Sequence, residues 1–103
     1  MRTLDYRVIG QRLVPTGDHS GLVACSAGYL KARFMFNDDW DYCSKRVTFV
    51  ANGAEYPVHL INDECVIPSE VLKHTIFELY VEGRKPNYVI ISRSTRERQL
   101  AKR

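Results

Sequence analysis

The sequence predicts an all-β fold, an antiparallel sandwich or barrel of about eight short strands. Three observations lead there. Apolar side chains recur at every second position in several segments, turn-forming residues interrupt the chain roughly every ten residues, and no stretch before residue 93 carries helical periodicity. Each sheet of such a protein has one apolar face to bury, so two sheets, or one closed sheet, satisfy the pattern.

From Thr3 to Val14, Leu4, Tyr6, Val8, Leu13 and Val14 mix with Asp5, Arg7 and Arg12. This reads as a first strand, imperfect around Gly10 and closed by Pro15-Thr16-Gly17-Asp18. Small apolar residues from Gly21 to Ala27 suit a short strand. The clearest alternation follows, with Leu30, Ala32, Phe34 and Phe36 on one face and Tyr29, Lys31, Arg33 and Met35 on the other. After the turn-rich Asn37-Asp38-Asp39-Trp40-Asp41-Tyr42, alternation resumes from Lys45 to Ala51. Asn52-Gly53 then tolerates the positive φ of a type I′ turn, which makes residues 45–61 a hairpin. Pro57 in its second arm places that arm at a sheet edge or a bulge. Asn62-Asp63-Glu64 forms a turn, Cys65-Val66-Ile67 a short strand, and Pro68 to Leu72 at most one helical turn, with Ser69 capping it. Phe77, Leu79 and Val81 mark a strand ended by Gly83, and Tyr88 to Ser92 the last one.

At 103 residues, 45% apolar and 26% charged, the chain suits one packed domain, assigned to residues 1–92. Residues 93–103 follow as a basic, solvated tail. The formal charge of +3 belongs to that tail: Arg93, Arg96, Arg98, Lys102 and Arg103 oppose Glu97 for a net +4, and the other 92 residues hold 10 basic and 11 acidic groups. No apolar run approaches the ~18 residues of a membrane-spanning helix, and residues 1–6 lack the apolar stretch of a signal peptide. A cytoplasmic place of synthesis and no membrane partner are expected. Cys25, Cys43 and Cys65 match neither a metal spacing nor a disulfide framework and are read as free thiols, with Cys25 and Cys65 as small core residues and Cys43 exposed. A Cys25–Cys65 bridge is the lesser alternative.

Chemistry has little foothold. His19, His59 and His74 are dispersed without the spacing of metal ligands, and are read as surface or rim residues. There is no nucleotide-binding, hydrolase or metalloprotease motif. No catalytic residue, metal ligand, cofactor or small-molecule substrate is therefore assigned, and the chain is read as a non-enzyme. Asp38, Asp39 and Asp41 offer oxygens to a hard cation, yet Asn and Asp more often tie turns through nearby backbone groups. Trp40, Asp41 and Tyr42 form either a contact platform, for a sugar or a protein, or a loop anchor over one end of the core; the anchor is favoured. Arg93, Arg96, Arg98, Lys102 and Arg103 are the candidate partner-binding residues, with nucleic acid as a second-ranked partner.

About half the chain resembles small β-rich accessory proteins of tailed phages and prophages of Gram-positive bacteria. The resemblance runs through Phe34-Met35-Phe36, Trp40-Asp41, Lys45 to Phe49, Tyr56 to Leu60, Cys65-Val66-Ile67-Pro68-Ser69-Glu70-Val71-Leu72 and the strand Phe77 to Gly83. It implies an immunoglobulin-like β-sandwich in the tail, baseplate or head fibre of a virion, acting through contacts with other virion proteins and copies of itself. Residues 1–29 and the basic tail fall outside it.

Overall fold

A computed structural model describes residues 1–102. Among the described residues, nine strands form two sheets, with one 3-10 turn and one helical turn between them. Strands β1 (Arg2–Ile9), β2 (Arg12–Thr16), β3 (Leu30–Phe36) and β6 (Glu64–Val66) make the first sheet, in the order β2-β1-β3-β6. In the second sheet, β5 (Ala54–His59), β4 (Ser44–Ala51), β7 (Ile76–Lys85) and β8 (Tyr88–Ile91) follow one another, and β9 (Thr95–Arg98) also pairs with β7. The short elements are Asp38–Trp40 and α1 (Ser69–Leu72).

The alternation places side chains as expected. Leu30, Ala32 and Phe34 of β3, Val47 and Phe49 of β4, and Phe77, Leu79 and Val81 of β7 enter one buried cluster with Leu4, Tyr6 and Val8 of β1. That shared cluster joins the inner faces of the two sheets. Asn52 and Gly53 hold φ of 50° and 78°, and the hairpin they close pairs Ala51 with Ala54 through Arg46 with His59. Pro57 lies in β5, an edge strand, where a missing N–H costs no ladder bond.

Five expectations need correction. The wholly antiparallel arrangement fails at β1 and β3, which run parallel from Arg2–Leu30 to Val8–Phe36. The reason is the chain between them: β2 turns back beside β1, and residues 17–29 then return to the end where β1 began. The first strand breaks into a hairpin at Gly10, whose φ of 56° turns the chain. Residues 21–27 contribute only an isolated bridge, Val23 with Leu100, rather than a strand. Cys25 is exposed, at a φ of 74°, and is not a core residue, whereas Cys65 is half-buried and packs against the core; all three cysteines are free. Ser69 makes no side-chain cap, the position before α1 being Pro68.

The solvated tail is the largest difference. After Ser92, whose amide bonds the Val81 carbonyl and whose Oγ accepts from the Val81 amide, the Arg93 amide donates to the Gln11 carbonyl. Thr95–Arg98 then runs antiparallel to Ile76–Leu79 as β9. Beyond it, the Leu100 amide donates to Leu22 and the Leu100 carbonyl accepts from Ala24. Eight of the eleven expected tail residues thus lie along the edge where the two sheets meet. Arg103 lies outside the described residues.

Candidate functional site

Alternation along β9 decides what this segment presents. Glu97 and Gln99 point inward and are 4% and 7% exposed, while Arg96 and Arg98 point outward and are exposed. A buried carboxylate is costly unless its hydrogen bonds are satisfied. Here Glu97 Oε2 accepts from the Tyr6 hydroxyl at 2.6 Å and pairs with His19 Nδ1 at 2.7 Å. The other imidazole nitrogen, Nε2, lies 2.9 Å from both the Asp5 and Thr16 carbonyls. Burial, then the neighbouring Glu97 charge, pushes the Tyr6 phenol far above its ordinary pKa, so it stays a donor.

This arrangement gives His19 a different place from the rim expected of it: its side chain is largely buried and locks β1, the segment after β2, and β9 together. Both ring nitrogens are occupied, one by a carboxylate and one between two carbonyls. These bonds tie three separate segments together, so the group forms a structural clasp. From the clasp, aromatic rings continue across the core: His19 meets Tyr6 edge-on at 5.2 Å, Tyr6 stacks on Phe34 at 5.2 Å, and Phe36 links Phe34 to Trp40.

Trp40 closes the far end of that line as an anchor. It is fully buried, and its Nε1 donates to the Gly10 carbonyl at 2.9 Å. Its indole lies on Gly83, where a Cβ would fall 2.8 Å from Trp40 Cε3. The sugar platform is thereby excluded for Trp40. Asp41 and Tyr42 are exposed, and Tyr42 holds a φ of 63°. Asn37 ties this loop to the β1–β2 turn, accepting from the Gly10 amide and donating to Asp39, the turn role favoured for these residues.

The clasp forms one wall of an open groove of about 670 Å³. It is lined by Pro15, His19 and Leu22, by Thr75 and Ile76 at the start of β7, and by Arg96 to Leu100. Five consecutive lining residues mean that the groove runs beside the chain from Arg96 to Leu100. The hydrogen-bond register agrees. The Gln99 amide bonds the Thr75 carbonyl, so Gln99 and Glu97 face β7, and the N–H and C=O of Arg96 and Arg98 face away from it. No strand among the described residues pairs with that side of Arg96 and Arg98.

Of the expected partner-binding residues, the structure brings Arg96 and Arg98 together on the outer face of the second sheet. Arg46 and Arg84 share that face, both paired to Glu82. Arg96 pairs with Glu78 at 3.1 Å. Arg93 sits at the β1–β2 turn instead, and Lys102 is exposed beyond the strand. Gln11, which donates to the Ile91 carbonyl, and His19 are contributors that the sequence reading missed. The period-two pattern Thr95, Glu97, Gln99 against Arg96, Arg98 was the available signal.

The fold defines an all-β protein of two sheets sharing one core, with a closed clasp and an open edge groove. No protein-family model, curated protein or solved structure matches the chain.

Proposed function

We propose that this chain is a non-catalytic assembly component, an immunoglobulin-like accessory protein of a phage tail, baseplate or head fibre that works by contacts with other virion proteins and with copies of itself. The observation that carries the assembly reading is strand β8. Proteins blunt exposed sheet edges with charge or proline because an open edge recruits another strand. Arg12 and Pro15 do so in β2, Glu55 and Pro57 in β5, and β6 is only three residues long. Tyr88-Val89-Ile90-Ile91 has neither device, and Val89 and Ile91 are 52% and 44% exposed. The virion context rests on the resemblance of residues 30–83.

Sedimentation at increasing concentration tests the assembly reading. Reversible self-association, weakened in Val89→Lys, is expected; a chain that stays monomeric at millimolar concentration argues against it. Mass spectrometry of purified particles of the parent phage tests the context, and absence of the chain there removes it. A second reading, nucleic-acid binding, is favoured by Arg46, Arg84, Arg96 and Arg98 sharing one sheet face. It predicts an affinity falling steeply with salt and lost on Arg96→Glu with Arg98→Glu.

A further inference from the structure

The geometry points to the groove beside β9 as a strand-addition site for an extended acidic segment of a partner protein, with acidic side chains two residues apart. This deepens the assembly reading and rests on it, but uses a different strand from β8, the two following one another along the side of β7 away from β4.

Strand addition needs unpaired backbone groups, room beside them, and side chains that select the partner. Arg96 and Arg98 supply the first: their four N–H and C=O groups face away from β7 and into the groove. The groove supplies the second, since Arg96 to Leu100 line it in succession. It ends where Leu100 already pairs in parallel with Val23, so an incoming strand over Arg96 and Arg98 prolongs a pairing that the protein itself begins.

Selection follows from alternation. Residues of an added strand opposite Arg96 and Arg98 are two apart and project to the same outer face as those arginines. Acidic side chains there meet both guanidinium groups. Arg98 makes no ion pair among the described residues, whereas Arg96 shares its charge with Glu78. The intervening residue faces inward, on the side of Glu97, His19 and Leu22. The Glu97 carboxylate does not repel the segment from below, because it is buried and held by Tyr6 and His19.

The test uses the full chain and the capped peptide acetyl-Thr-Glu-Val-Glu-Thr-amide, followed by amide NMR. Saturable binding is expected, shifting the Arg96 and Arg98 amides and slowing their hydrogen exchange by roughly tenfold or more. The same peptide with Lys for both Glu residues is expected not to bind, and Arg98→Glu to weaken the acidic peptide roughly five- to tenfold. Both arginines are exposed, so folding of the variant is checked by its unchanged spectrum elsewhere. Absence of binding overturns the proposal, as does binding that leaves the two amides exchanging freely. Binding of a single-stranded oligonucleotide that outcompetes the peptide overturns it in favour of a nucleic-acid face. A chain that self-associates through β8 yet ignores the peptide refutes this groove alone; one that does neither refutes the assembly reading as well.

Discussion

Replacing Glu97 with Ala removes an acceptor that two buried donors share. Tyr6 and His19 each lose their bond to Oε2, at 2.6 and 2.7 Å, and neither has another acceptor in place for that hydrogen. Leaving a buried polar group unsatisfied costs about 1–3 kcal/mol, and two such groups are left here. Taken together, Glu97→Ala is expected to destabilise the domain by about 3–5 kcal/mol, a large fraction of the roughly 5–15 kcal/mol available to a domain of this size. Urea unfolding followed by Trp40 fluorescence measures it, with the slope unchanged if only stability has moved. Tyr6→Phe alone should cost less, about 1 kcal/mol, because its loss leaves Glu97 with His19. Adding Tyr6→Phe to Glu97→Ala should then cost less than the sum, the sign of a shared interaction. A Glu97→Ala effect within about 0.5 kcal/mol of zero, the range of an ordinary surface change, would refute the clasp and return the segment to solvent.

Three further outcomes follow from the same packing. Gly83→Ala places a methyl 2.8 Å from the Trp40 ring, itself held by the Gly10 carbonyl, and should destabilise by about 1–3 kcal/mol in thermal unfolding; a neutral result would mean the indole is free to move. Native thiol labelling at pH 8 should modify Cys25 ahead of Cys65, read by mass spectrometry of the peptides, because burial pushes the Cys65 thiol up to about 12. That same shift sets an alkaline limit. A thiol raised from its ordinary value of 9 contributes stability that is whole below about pH 9 and lost as pH climbs toward about 12. The buried Tyr6 phenol is raised too, first by burial and then by Glu97. Unfolding midpoints should therefore hold to about pH 9 and then fall, less steeply in Cys65→Ala; an identical fall in that variant would show that Cys65 takes no part.

The sequence made local pairing legible and left distant pairing hidden. Strand β3 and the β4–β5 hairpin follow from period-two alternation and Asn52-Gly53, whose physics is complete within about fifteen residues. Pro57 marks an edge for the same local reason. The hairpin at Gly10 lacks an Asn-Gly signal, so one strand was read where two stand. The parallel β1–β3 pair depends on how residues 17–29 return across the molecule, which no local pattern encodes. Strand β9 was hidden by its composition: Arg93 to Gln99 reads as solvated until partners are found for Glu97. Those partners lie 91 and 78 residues away, in Tyr6 and His19. Trp40 was legible as an anchor, although its seat on Gly83 was not.

Amide hydrogen exchange along residues 95–100 of the free protein tests the account at its centre, because one measurement reads both the pairing of β9 and the openness of its edge. The Glu97 and Gln99 amides, which face β7, and the Leu100 amide, bonded to Leu22, should exchange slowly. Those of Arg96 and Arg98, which face the groove, should exchange quickly. Fast exchange throughout would mean a solvated tail and no clasp. Slow exchange throughout would mean that the edge is already covered and the groove closed to a partner.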